Sequence, residues 1–281
     1  MSNAYIERWK EIYGEWQHQF PFLTEFGSQR LVFRTDIFLI GLFISRSRYG
    51  ASYKVSFEVK SLWNEISNNY VNIFSLPILP QKDDGSYLFV EYGPRGDTHD
   101  ILFKQLLETI DIKYGRMFEG VAEYRIINEQ CDIAFSKYPE SMYIAKYSYF
   151  EFKLASALYF NDSDSWNKTY SEMKKYVSRL ETKNNIRKFF HTNPALYWTE
   201  WMNYVDANLT DRERLMELCE RNSKLKKVSC LNKGSLISAP ITPMVQLKKG
   251  SFIDKIKDLC SERNHNGIVY VPIRSEKIKR M

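Results

Sequence analysis

Two carboxylates and a lysine stand where a β-hairpin would bring them together. Glu58-Val59-Lys60 is an E-x-K triplet in an alternating segment. Tyr53, Val55, Phe57 and Val59 face one way, and Lys54, Ser56, Glu58 and Lys60 the other. Asp36 stands in the apolar stretch before it. Positions 36 and 60 are symmetric about residue 48, inside the turn signals of Arg46–Ser52. A hairpin with arms Leu31–Ser45 and Tyr53–Lys60 therefore sets Asp36 opposite Lys60, within reach of Glu58. The bland alternative is a solvent-facing Glu and Lys on an amphipathic strand, with Asp36 solvated at the edge of the apolar run. A second cluster runs Gly93-Pro94-Arg95-Gly96-Asp97-Thr98-His99-Asp100. Its His99 has the right reference pKa, near 6.5, for a general base. The same residues also read as a Gly-Pro turn with Asp97 capping a helix and Asp100 complementing its dipole.

The Asp36, Glu58 and Lys60 set resembles the core of the PD-(D/E)xK nuclease families, in which a helix precedes the hairpin. That resemblance implies two carboxylates holding Mg²⁺ and a lysine positioning the attacking water. It covers some 40 residues, and Thr35 stands where those families carry a proline.

Charge is unevenly spread. From Arg221 to Met281 there are 14 Lys or Arg against four acids, although the whole chain is only +6. No acid occurs between Glu220 and Asp254. Arg221, Lys224, Lys226, Lys227, Lys233, Lys248 and Lys249 are thus candidates for neutralising phosphates or docking on an acidic partner. Aromatics run the other way, with only Phe252 and Tyr270 after residue 220. The basic stretch therefore lacks bases' usual stacking platforms.

The elements that must position these residues follow from periodicity. Residues 3–20 read as a helix, with Trp9, Ile12, Tyr13, Trp16 and Phe20 on one face and Pro21 ending it. Strands are expected at Tyr87–Glu91, Val121–Ile127 and Ile133–Phe135, interrupted by a helix from Thr98 to Ile112. From about Met142 the period changes to 3.6 residues, predicting helices near 142–160, 164–182, 194–207, 211–225 and 251–263. Thr210 with Glu213 forms a capping box, and Asn193-Pro194 opens another helix. Val228–Gly250 is long for a loop, and Ile268–Ile273 reads as a short strand.

Aromatic residues cover more than one face of the helices around Tyr143–Tyr159 and Tyr197–Trp201. That pattern predicts either a partner chain or a central place in a bundle. The four cysteines form no C-x-x-C pair; Cys219 and Cys260 fall on the apolar stripes of helical segments, and core thiols in a reducing cytosol are the expectation. Cys260 and His265 make half a zinc site with no second pair. Fingerprints of phosphate loops, zinc proteases, serine hydrolases, kinases and dinucleotide folds are absent. The longest apolar run, Ile37–Ile44, is too short to span a bilayer, and no signal peptide is apparent.

Together these features predict an α+β fold: an antiparallel sheet with packed helices in the N-terminal half, and a helical layer or bundle in the C-terminal half. Residues 1–140 form the sheet domain, 141–225 the helical region, and 226–281 a basic, partly extended end. The expected function is that of a cytoplasmic, non-enzymatic interaction protein, an accessory subunit without a cofactor. It would bind a protein partner through Tyr197, Trp198 and Trp201, and an acidic surface or nucleic acid through the basic end. A Mg²⁺-dependent nuclease is the alternative. No membrane contact is expected, and the oligomeric state is open.

Overall fold

Asn3–Gln19 forms the first helix, α1, in a computed structural model that describes residues 3–47, 51–64, 72–78, 89–93, 96–136, 143–182 and 194–238. Ile12 and Trp16 are completely buried, and Trp9, Tyr13 and Phe20 pack beside them, as the helical spacing requires. The strands that follow are β1 (Thr24–Glu25), β2 (Arg30–Arg34), β3 (Phe38–Arg46), β4 (Ser52–Ser61), β5 (Asn72–Pro77), β6 (Val90–Gly93) and β7 (Gly96–Asp97). They make one seven-stranded sheet in the order β1-β2-β3-β4-β6-β7, with β5 pairing β4 beside β6. All its pairings are antiparallel.

The expected single arm from Leu31 to Ser45 is in fact two strands. The chain reverses at Thr35–Ile37, where the Thr35 amide donates to the Phe38 carbonyl (2.8 Å). The Phe38 amide in turn donates to Thr35 Oγ1 (3.0 Å). A threonine hydroxyl thus closes a turn that no glycine or proline announces. The register of β3 and β4 sets Leu39 opposite Lys60 and Gly41 opposite Glu58. Asp36 lies before β3 begins, so it does not face Lys60.

One face of the sheet carries Leu31, Phe33, Ile40, Leu42, Val55, Phe57 and Val59, all buried. Helices α1 and α2 (His99–Tyr114) and the 3-10 turn Gly115–Glu119 pack on it. Phe57 meets Tyr114 at 4.5 Å and Phe118 at 6.2 Å, and Tyr53 meets Trp16 edge-on at 6.5 Å. Helix α2 begins at Thr98 without a side-chain cap, and Asp97, expected to cap it, instead ends β7.

Val121–Ile127 keeps only three strand residues, β8 (Val121–Glu123), before α3 (Tyr124–Ser136). Ile133–Phe135, also expected as strand, lies in α3. Its β-branched residues look strand-like in short windows, but Ile127, Cys131, Ala134 and Phe135 recur at helical steps and are buried. The remaining elements are α4 (Tyr143–Tyr159), α5 (Ser163–Thr182), α6 (Pro194–Asn208), α7 (Arg212–Ser223), α8 (Lys226–Ser229) and β9 (Ser235–Ile237). Asp211, rather than Thr210, caps α7, accepting from the Glu213 and Arg214 amides. Thr210 donates instead to the Asp206 carbonyl (2.8 Å). Strand β9 pairs in parallel with β8. The helix expected at 251–263 and the strand at Ile268–Ile273 lie outside the described residues.

This is an α+β protein, with the antiparallel sheet in the N-terminal half and mostly helices after it. Buried apolar side chains form one continuous cluster from Ile12 in α1 to Leu236 in β9. The sheet and the helices therefore share a core. Val228, Leu231 and Leu236 belong to that core too, so it extends past the boundary expected at residue 226. Helix α4 packs against α3, α5, α7 and β5, burying Tyr147, Phe150 and Phe152, which accounts for aromatics on several of its faces. Among the described residues no helix is long and apolar enough to cross a membrane.

Candidate functional site

The sheet face opposite α1 and α2 carries charges in its centre. Glu58 and Lys60 are only 2% and 3% exposed, so they are not the solvent-facing pair that alternation suggests. Glu58 accepts from Arg30 Nε at 3.0 Å and lies 3.8 Å from Lys60 Nζ. Arg30 stands on β2 opposite Phe43, and its guanidinium lies 4.1 Å from the centre of that ring. Gly41 sits between Val32 and Glu58 in the register. A Cβ there would run into the Leu31 carbonyl and Val32. A glycine in mid-strand marks this close backbone approach. Beside Lys60 the β4–β5 ladder slips by one residue, a bulge that alters the pairing at that position.

Burial lowers the Lys60 amine to about 8, and the Arg30 charge adds to the effect while Glu58 opposes it. Among the described residues the group is thus two cations around one carboxylate in a desolvated setting.

Asp36 is elsewhere. Gly41, the level of Glu58, lies three strand residues beyond Phe38, roughly 10 Å at the antiparallel rise. Asp36 sits before Phe38, where it accepts from Tyr159 Oη (2.9 Å) and pairs with Lys233 Nζ (2.9 Å). Burial alone would raise its carboxyl, but the Lys233 and Tyr159 hydrogen bonds outweigh it and hold the group below the usual carboxylate range. The structure therefore brings Glu58 and Lys60 together and leaves Asp36 out. These three residues do not assemble a two-carboxylate centre, because the hairpin register differs by three from the symmetric one. Among the described residues no three of His, Cys, Asp and Glu gather as a set that could hold a metal ion.

His99 is completely buried. Its Nδ1 lies 2.8 Å from Tyr53 Oη and its Nε2 2.8 Å from Glu15 Oε2. The imidazole thereby ties α2 to β4 and α1, and has no solvent-facing edge for a substrate. Neither Tyr53 nor Glu15 is signalled as its partner by sequence, since Glu15 is 84 residues away.

Helices α4, α6 and α7 meet the end of β4 around Glu151. This carboxylate accepts from Asn64 Nδ2 (2.9 Å) and Trp201 Nε1 (2.7 Å). Burial pushes it up, and these neutral donors only partly offset that. Tyr204 donates to Asn64 Oδ1 (2.6 Å), and Asn222 donates to the Leu62 and Asn64 carbonyls. Trp201, expected at a partner surface, is 8% exposed and packs on Tyr147 at 4.3 Å. Its indole faces inward because its N–H is needed by Glu151. Tyr197 and Trp198 lie on α6, but their side chains fall outside the described residues.

The basic candidates divide into three groups. Arg221, Lys224, Lys226 and Lys227 are exposed along the end of α7 and through α8. Buried Leu218, Asn222 and Val228 anchor this elbow from beneath. Lys224 pairs with Glu220 at 2.7 Å, both largely exposed, a contact worth little in water. Lys233 is spent on Asp36. Lys248 and Lys249 lie outside the described residues. Cys131 and Cys219 are buried, and burial pushes both thiols up; Cys230 is exposed.

No protein-family model, curated protein or solved structure matches the chain.

Proposed function

We propose that this protein is a non-enzymatic interaction module that contacts polyanions through the α7–α8 elbow. The observation that carries the reading is the elbow itself: Arg221, Lys224, Lys226 and Lys227 exposed on a segment anchored by Asn222 and Val228. An anchored set of cations needs little ordering when it meets phosphates or carboxylates, so less of the interaction is lost to entropy. The elbow residues 221–230 include no aromatic side chain. Contact is therefore with backbone charge and not with bases, which makes it independent of sequence.

The test is fluorescence anisotropy of the full chain with a labelled DNA duplex, a single-stranded RNA and polyglutamate at several salt concentrations. Three to four neutralised phosphates give a log–log salt slope of about −3 on duplex DNA. Lys226→Glu with Lys227→Glu should shallow that slope and weaken binding to whichever polyanion is preferred. Absence of binding to all three at low salt, or binding that the double variant leaves unchanged, overturns the reading.

A further inference from the structure

A cleft of about 580 Å³ opens between the end of α1 and the last turns of α2, a size usual for small-ligand sites. Phe20, Phe22 and Phe118 supply its aromatic lining, and Glu108, Asp111 and Glu119 are its charged residues. Among the described residues no Lys, Arg or His lines it. The aromatic walls are set by packing. Phe118 is buried and meets Phe20 edge-on at 5.5 Å. Phe22 meets Phe33 at 5.7 Å and lies over Gly120, where any Cβ would collide with its ring.

The carboxylates are poorly compensated. Glu119 pairs with Arg116 at 2.7 Å, both well exposed. Glu108 and Asp111 make no ion pair among the described residues. They are three apart on α2, and Asp111 lies in its last turn, where the helix dipole is negative and Lys113 is the basic residue. Like charges at that spacing repel, and carboxylates are disfavoured at a helix C-terminus. A positive ligand group would relieve both effects, while the aromatic lining would cover an apolar body. An anion would be repelled, and a neutral ligand would gain only the apolar contact.

We infer that this cleft binds an organic cation, with its ammonium or guanidinium group at Glu108 and Asp111 and its apolar body against Phe20, Phe22 and Phe118. The chemistry is shared by free aromatic amines and by a basic side chain beside an aromatic one in a peptide.

Calorimetry on the full chain with 2-phenylethylammonium, benzyl alcohol and phenylacetate tests it, with acetyl-Phe-Arg-amide as the peptide arm. The cation should bind about tenfold more tightly than the neutral alcohol, as expected for two exposed charge contacts. Phenylacetate should bind least. Glu108→Gln with Asp111→Asn, both exposed and so tolerated by the fold, should remove the preference for the cation and leave the alcohol unaffected. Tighter binding of the peptide than of the amine points to a peptide ligand, the reverse to a free amine, and either supports the site. Equal binding of amine and alcohol, retention of the preference in the double variant, or no binding of either cationic probe overturns it.

Discussion

Replacing Lys60 by methionine tests the reading of the buried charge cluster most directly. The amine titrates at about 8 in the fold against an ordinary 10.5. Between these values the unfolded chain holds a proton that the folded one has released. Stability therefore rises with pH across the window, and below pH 8 the buried cation is a standing penalty. Integrating the linkage from pH 8 to 9.5 gives about 1.6 kcal/mol in favour of the wild type relative to the variant. At an m of 2–3 kcal/mol/M this is roughly 0.5–0.8 M urea in midpoint. The difference between the two chains is the quantity to measure. The buried thiols of Cys131 and Cys219 are also raised, and they make both chains lose stability as the unfolded thiols ionise. That loss cancels in the difference. Methionine fills similar volume, and Arg30 still faces Glu58 at 3.0 Å, so the variant should fold and be at least as stable at pH 7. Urea unfolding at half-unit steps supplies the curve. A wild-type-minus-variant difference that stays flat from pH 8 to 9.5 would refute a desolvated, charge-perturbed Lys60.

Two further substitutions probe the same interior. Glu58→Gln removes the carboxylate that Arg30 and Lys60 share, and breaking a buried pair this way costs about 3–5 kcal/mol. Adding Lys60→Met to it should recover part of that loss, and a double variant no more stable than the single would count against the coupling. Glu151, whose carboxyl is raised by burial, makes the fold lose stability as pH rises from its unfolded value of 4.5 through its folded one. Glu151→Gln should hold its melting temperature across pH 4–7 better than the wild type does, and parallel profiles for the two chains would contradict the assignment.

Much of the architecture was legible in the residues. The step from alternation to a 3.6-residue period after Met142 marks where the helices α4 to α7 take over, and Trp9, Ile12, Trp16 and Phe20 mark the buried stripe of α1. These are local regularities, and an amphipathic element declares its apolar face wherever it is placed. The failures are local as well. The Thr35–Ile37 turn is hidden because a hydroxyl closes it, and the two ends of α3, within Val121–Ile127 and at Ile133–Phe135, look like strand because isoleucines dominate short windows. Capping at α7 missed by one residue, since Asp211 and Thr210 are both competent caps.

The candidate site was less legible. Sequence alone determined that Glu58 and Lys60 share a strand face, that the chain turns basic at Arg221, and that Cys219 suits a core. Tertiary structure decided everything that depends on register or on a distant partner. A shift of three residues moved Asp36 from Lys60 to Tyr159 and Lys233. Arg30 became the partner of Glu58 because Gly41 lets the strands approach closely. Trp201 was turned inward by the carboxylate of Glu151, 50 residues away. Side-chain type and spacing fix which groups are available, but hydrogen bonds and ion pairs act over only a few ångströms. Which groups meet within that range is therefore set by how strands align and helices dock.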